Sequence, residues 1–262
     1  MEILIKGAGD IATGIAVRLY NAGFRVAMTE TATPTTVRRT VAFSRAVYES
    51  ATTVEQITAR LISSARQLPS VWDSGEIPLL IDPQAAVLSQ HRFDVVVDAI
   101  LAKKNLGTTA DQAPIVIGVG PGFSAPQDCS CVVETQRGHY LGRCIYQGSA
   151  IPNTGVPGDI GGYTIERLLR APCAGRFCPI ASIGDLVHAG QVVATVDGQP
   201  VVAQIDGILR GLLQPDVPVK AGMKSGDIDP RCEREHCFSV SDKARAVGGG
   251  VLEAILHLSR GR

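Results

Sequence analysis

The chain has 262 residues, enough for two compact domains with cores of their own. Its 25 basic and 25 acidic residues balance, which excludes the cationic footprint of a nucleic-acid binder or a polybasic membrane patch. A single Trp argues against a base-stacking platform, and no apolar run approaches the length of a membrane span.

The first strand begins at residue 2, so no leader is expected, and seven irregularly spaced cysteines read as reduced thiols. A cytoplasmic protein that binds neither nucleic acid nor membrane is therefore expected. Ile3, Leu4 and Ile5 form an apolar strand entering Lys6-Gly7-Ala8-Gly9-Asp10-Ile11-Ala12-Thr13-Gly14. An amphipathic helix to about Ala22 follows, then a strand from Phe24 to Met28 that ends in Thr29-Glu30. This is the G-x-G-x-x-A dinucleotide fingerprint in strand–turn–helix–strand order, with an acidic residue about 20 positions on. Gly7 suits the tight turn, Gly9 lets the backbone approach a ligand, and Ala12 lets the helix pack close to the strand. The N–H groups at the helix start face any bound anion. Asp10 opposes a phosphate there unless it turns away to cap the helix. Glu30 is either a ribose partner or a solvated strand-end carboxylate.

Thr53 to Leu68 is expected to be an amphipathic helix with Val54, Ile57, Leu61, Ile62 and Ala65 on one side. Leu79–Ile81, Val95–Val97 and Ile115–Ile117 are unbroken apolar runs suited to parallel strands covered on both faces. Asp82 and Asp98 end two of them, although Asp82-Pro83 is also a turn signal by itself. Gly118-Val119-Gly120-Pro121-Gly122-Phe123 ends the third. Ligands of open parallel sheets bind outside the carboxyl ends of the strands. Gly7, Gly9, Asp10, Gly14, Glu30, Asp98, Gly118, Gly120 and Gly122 are therefore the candidate ligand-binding residues, along one rim. Arg38, Arg39, Lys103 and Lys104 are either nearby cations or ordinary solvated surface.

Cys131 to Tyr146 reads as a β-hairpin turning through Arg137-Gly138-His139, and Gly155 to Gly162 as a connector before a short helix through Leu169. An internal repeat follows. Ala171–Phe177 aligns with Ala203–Leu209, and Gly184–Gly190 with Asp216–Gly222. Two such halves resemble the barrel-sandwich fold of biotinyl and lipoyl carrier domains. The turn between the halves, Val196-Asp197-Gly198-Gln199-Pro200, has no lysine, and Lys224 lies after the second half, so neither biotin nor lipoate is expected. Gly248-Gly249-Gly250 precedes an expected helix from Val251 to Leu258, as a second anion site or as close packing. The expected fold is thus a Rossmann-like parallel α/β sheet followed by a lysine-free barrel-sandwich module. Its divisions are residues 1–125, 126–170, 171–231 and 232–262.

Cys129-x-Cys131 places two thiols on one face if the segment is extended, while Cys173/Cys178 and Cys232/Cys237 each have four intervening residues. None has C-x-x-C spacing, so no metal site is expected. Packing accounts for these thiols, with sulfur or selenium handling at Cys129 or Cys131 as the alternative.

The chain resembles the YqeB family of accessory proteins for selenium-dependent molybdenum hydroxylases, nearly from end to end. The resemblance rests on Lys6–Gly14, Arg38–Ser44, Val97-Asp98-Ala99 with Lys103 and Asn105–Gly107, and Gly118–Phe123. It continues through Glu134-Thr135, Arg137–His139, Leu141–Arg143, Gly226–Arg231, Ser241–Lys243 and Gly248–Glu253. It implies a maturation factor that works with a molybdenum hydroxylase and its maturation proteins. Such a factor would bind a nucleotide or an anionic molybdopterin-type cofactor at the Gly-rich rim. The alternatives are an NAD(P)-dependent oxidoreductase, favoured by the fingerprint alone, and a non-catalytic adaptor.

Overall fold

A computed structural model describes residues 1–260, which divide into two compact units. The units are interleaved in sequence rather than consecutive. The first comprises Met1–Pro34, Phe43–Thr154 and the segment from Val240 onward, and the second Thr35–Ala42 and Gly155–Ser239.

In the first unit, β1 (Glu2–Lys6), α1 (Asp10–Asn21) and β2 (Arg25–Glu30) follow the expected order. After a short α2 (Ala46–Glu49) the expected helix over 53–68 does not form. The chain makes β3 (Ala51–Val54) and β4 (Ile57–Ile62), an antiparallel hairpin turning at Glu55-Gln56, both at positive φ. Two consecutive left-handed residues give a turn whose twist matches the flanking strands. The β-branched Thr52, Thr53, Val54, Ile57 and Thr58 lose less in a strand than in a helix. There follow α3 (Leu68–Asp73), β5 (Ile77–Ile81), β6 (Val95–Asp98), β7 (Ile115–Val119), β8 (Cys131–Val133) and the edge strand β9 (Cys144–Ile145).

The resulting sheet has nine strands in the order β3-β4-β5-β2-β1-β6-β7-β8-β9. It is mixed, because β3 and β9 run antiparallel to their neighbours at its two edges. The Rossmann-like parallel sheet is corrected accordingly: a hairpin stands in the connection from β2 to β5 where that fold has a crossover helix. One face buries Leu4, Trp72, Leu80, Phe93, Val96, Val116 and Val132.

The last helix, α4 (Asp242–Leu258), begins nine residues before the expected Val251, with Ser241 as its N-cap accepting from the Ala244 N–H. The glycine run therefore lies inside a helix and does not precede one. Each interior glycine costs a helix about 1 kcal/mol relative to alanine, and close packing offsets that cost. A Cβ on Gly14 of α1 would lie 2.5 Å from Ala244 Cβ, and one on Gly248 would lie 3.0 Å from the Gly14 carbonyl oxygen. A Cβ on Gly250 would collide with the Gly142 carbonyl. No described helix is long and apolar enough to cross a membrane.

The second unit holds β10 (Leu168–Arg170), β11 (Gly175–Pro179), β12 (Leu186–Val187) and β13 (Val192–Val196). It continues with β14 (Gln199–Val202), β15 (Gly207–Leu212), β16 (Pro218–Val219) and β17 (Lys224–Asp229). They form two antiparallel four-stranded sheets, β10-β17-β15-β12 and β14-β13-β11-β16. The expected self-contained barrel-sandwich over 171–231 is corrected as well. Its boundaries fail because the helix expected through Leu169 ends instead in β10, which pairs with β17. The remote segment 35–42 is also built in, with the Leu212 N–H donating to the Val37 carbonyl at 2.7 Å. Gly211 makes room for that approach, since its Cβ would lie 3.1 Å from the same oxygen. Arg38 and Arg39 belong to this unit, where Arg38 donates to the His236 carbonyl at 3.0 Å and Arg39 to that of Leu212 at 3.1 Å. The Gly226–Arg231 motif supplies buried carboxylates. Asp227 pairs with Arg167 at 3.3 Å, and Asp229 with Arg210 at 3.5 Å and Arg231 at 2.6 Å.

The α1–α4 contact gives a direct test. Gly14→Val is expected to lower unfolding stability in urea by about 1–3 kcal/mol through overpacking. Gly249→Ala, where a Cβ meets open space, should be neutral or slightly stabilising. Equal stabilities for the two variants would remove the packing role of Gly14.

Candidate functional site

The motifs that are scattered along the sequence meet in the first unit at the C-terminal ends of β1, β6, β7 and β8. Lys6, the last residue of β1, is in register with Asp98, the last of β6. Both are almost fully buried, and Lys6 Nζ lies 3.4 Å from Asp98 Oδ2. Thr108 joins them, accepting from Lys6 and donating to Asp98 Oδ2 at 2.5 Å. The other Asp98 oxygen accepts the Ile100 N–H at 3.2 Å. Asp98 thus anchors the loop after β6 to the strand beside it.

Gly7 follows at φ +93°, and a Cβ there would press on the backbone of Ala99 and Ile100 at 3.0–3.1 Å. Gly9 is the N-cap of α1 in extended conformation, so the first-turn N–H groups of that helix open at the rim. Thr13 ties the turn down. Its hydroxyl donates to the Ala8 carbonyl at 3.2 Å and accepts the Phe43 N–H at 2.8 Å. Glu30 at the end of β2 accepts the Ala8 N–H at 3.0 Å and the Thr31 N–H at 2.8 Å, one on each oxygen. The position that would hold a ribose in a dinucleotide site is thus engaged with the backbone of Thr31 and of the β1–α1 loop. Gly14 lies one turn into α1 against α4, as described above.

The third glycine segment is equally compact. A Cβ on Gly118 would meet the Phe123 ring at 2.5 Å, one on Gly120 the Thr135 hydroxyl at 2.8 Å, and one on Gly122 the Lys104 backbone at 2.7 Å. Gly120 and Gly122 also have φ values of +81° and +114°, a region that β-carbons penalise. Beside them the buried Glu134 accepts three backbone N–H groups. Those of Thr135 and Gln136 lie at 2.7 Å and that of Ile151 at 2.8 Å.

Lys243, which the sequence placed in a motif but not among the candidate ligand-binding residues, lies in the first turn of α4. Burial pushes its ammonium below the ordinary lysine range, and Arg137 pushes the same way, while Asp10, Glu134 and Asp242 oppose them. Arg137 itself is held bidentately by Asp242 at 2.6 and 2.9 Å. The site therefore combines the N-termini of two helices with a partly buried lysine and three carboxylates. Its signal in the sequence was the Ser241-Asp242-Lys243 cap, which the expected helix start at Val251 left in a loop.

Cys129 and Cys131 do not share a face. Cys129 packs in the cluster with Val132, where burial pushes its thiol up to about 11, whereas Cys131 lies on β8 with its side chain alternating away from Val132. All seven cysteines are unbridged, and the described residues hold no cluster of three or more metal-ligating side chains.

Two stability predictions follow from these buried charges. Asp98→Ala leaves the Lys6 ammonium buried without its carboxylate and is expected to cost about 3–5 kcal/mol in chemical denaturation. Lys243 works in the opposite sense. Its folded pKa is depressed, so the cost of burying its charge is full below that pKa and fades as pH rises towards the unfolded value. Lys243→Met should therefore raise the denaturation midpoint at pH 7, and the gain should shrink in strongly alkaline buffer.

No family model matches the chain. An Escherichia coli (strain K12) protein described as "Uncharacterized protein YqeB" is 51% identical over 256 residues. That alignment takes in 98% of this chain but 47% of the relative, so the chain spans about half the length of the curated protein it matches. Among solved structures, an aspartoacylase family protein from Mesorhizobium loti is similar at 14% identity and a TM-score of 0.27, over 87% of this chain and 84% of that one. A succinylglutamate desuccinylase from a Silicibacter species is similar at 14% and 0.24, with the same coverage. Likenesses of that size bear on neither fold nor chemistry. The identity to the Escherichia coli protein does: over the region the two share, this chain belongs to the YqeB family.

Proposed function

We propose that the chain is an accessory factor in the maturation of a selenium-dependent molybdenum hydroxylase, holding an anionic, molybdopterin-type or nucleotide ligand at the rim of the first unit. The observation that carries this reading is the convergence of five separated motifs on one place. Lys6–Gly14, Val97–Ala99, Gly118–Phe123, Glu134-Thr135 and Ser241–Lys243 all contribute to the junction of β1, β6, β7 and β8 with α1 and α4. A partly buried lysine beside two helix N-termini offers positive potential that an anion would use.

The arrangement argues against a dinucleotide held in the manner of the fingerprint. Lys243 and the first-turn amides of α1 supply positive potential. Glu30 hydrogen-bonds its own loop, and Asp10 places a negative charge at the position of a pyrophosphate. These residues would bind and orient the ligand. The partner hydroxylase, its maturation proteins and the remaining half of the relative's length belong to the same proposal.

Three outcomes test it. In a host that makes a selenium-dependent molybdenum hydroxylase, deleting the gene for the whole protein should abolish that enzyme's activity and spare selenoproteins without molybdenum. Complementation should succeed with the native gene and fail with Gly9→Val, whose β-branched side chain obstructs backbone approach. By calorimetry, Lys243→Gln should weaken binding of a molybdopterin-type ligand about tenfold, close to 1.4 kcal/mol. Saturable NADH binding by the native chain at micromolar concentration would promote the oxidoreductase in its place.

A further inference from the structure

Outside the rim, the edge hairpin of β8 and β9 carries a second group of reactive side chains. Val133 lies opposite Cys144, and Val132 opposite Ile145. Side chains two residues apart on a strand share a face, so Cys131, Val133, Cys144 and Tyr146 all lie on one side of this hairpin. That side packs on α4, where the Cys144 thiol donates to the Gly250 carbonyl at 3.1 Å. Cys131 and Cys144 are therefore diagonal neighbours across the two strands, near enough for each thiol to shift the other's ionisation, while the Cys131 thiol itself donates to the Val132 carbonyl at 3.5 Å.

The two thiols differ in access. Cys131 is completely buried. Cys144 is half-buried and lines a 590 Å³ cleft together with Tyr140, Arg143, Tyr146, Ser149 and Ile151. The Tyr146 hydroxyl is buried and finds no ordinary hydrogen-bond partner among the described residues, yet it lies close enough to Cys144 to influence its ionisation. A buried phenol without a partner is costly, and donation to a thiolate would relieve that cost. The neighbouring Cys131 thiol lowers the Cys144 pKa, opposed by burial and by Glu253 of α4, and Tyr146 adds to the lowering. The neighbouring Cys144 and burial raise that of Cys131. The accessible sulfur is thus the one that ionises first.

We propose that Cys144 and Cys131 form a dithiol exchange site, addressed through this cleft by small-molecule disulfides. Cys144 releases its proton to water in the cleft, and its thiolate attacks one sulfur of the incoming R–S–S–R. The old S–S bond breaks, a mixed disulfide forms at Cys144, and RS⁻ leaves with the electron pair and is protonated by water. Cys131 attacks the Cys144 sulfur and forms the Cys131–Cys144 bond, the Cys144–SR bond breaks, and the departing second RS⁻ takes up the Cys131 proton as it leaves as RSH. Two protein thiols are oxidised and one small disulfide is reduced to two thiols. β9 has only two residues and lies at the sheet edge, so it can close the remaining distance between the diagonal partners. The cleft shares Glu134 with the rim, but the exchange uses only the two thiols and does not depend on the ligand proposed there.

The test uses the complete chain with oxidised glutathione, quenched by acid and mapped by peptide mass spectrometry. Cys178 and Cys232, both exposed, act as internal references that should retain mixed disulfides. The expected result is a Cys131–Cys144 cross-link at least about tenfold more abundant than any other intrachain pair. Cys131→Ser should instead accumulate glutathione on Cys144. If native Cys144 stays unmodified while Cys178 and Cys232 react, or keeps its glutathione without forming the cross-link, the site is overturned. Because the first measurement uses native protein, failure of a variant to fold does not affect it.

Discussion

The first unit depends on how closely two helices approach. α1 follows the first strand of the chain and α4 lies at its other end, and they meet through residues with little or no side chain. Gly14 faces Ala244, and Gly248 faces the Gly14 carbonyl. Any larger residue at these positions would push α4 outward. That would carry Lys243 away from Asp10 and Glu134, separate Gly250 from Gly142, and move the Gly250 carbonyl from Cys144. The glycines weaken α4 as an isolated helix, and tertiary contact supplies what local propensity does not. The candidate rim and the dithiol cleft both rest on this packing.

A second constraint fixes the rim itself. Lys6, Asp98 and Thr108 are buried together, and such a cluster is tolerable only when each charge has its partner. It locks adjacent strands at their C-terminal ends and gives the loop after β6 one conformation, against which Gly7 then packs. Most of the glycines along the rim are small because backbone or a ring lies against them. A ligand site here would therefore be built on rigid loops, with the open N-terminus of α1 and the Lys243 ammonium as the groups left to receive an anion.

The second unit follows a different logic. Its two halves repeat, and the short strands cross over: β12 of the first half joins β15 of the second, while β16 of the second joins β11 of the first. Gly175 and Gly207 open β11 and β15 at nearly the same φ, +156° and +157°. Neither half closes a core alone, and the unit also takes in residues 35–42 from far upstream. Its buried ion pairs come from one short motif, in which Asp227 and Asp229 each face an arginine.

The sequence by itself determined the elements whose signals are local. An apolar run, a glycine turn and an amphipathic helix specify β1, α1 and β2, because each residue's preference agrees with its neighbours. The apolar runs that became β5, β6 and β7 were legible for the same reason, as was the internal repeat. The hairpin at 51–62 was not, since its apolar residues fit a helical period as well as a strand, and the two left-handed residues at 55 and 56 decided between them. The start of α4 was hidden by glycines that only the opposing helix explains. The hairpin expected over 131–146 did form and carries Cys131 and Cys144 on adjacent strands. Neither the pairing of Lys6 with Asp98 nor the meeting of Lys243 with Asp10 could be read from spacing. These partners are 92 and 233 residues apart by subtraction of their positions, and only the order of strands in the sheet and the packing of helices on it bring them together.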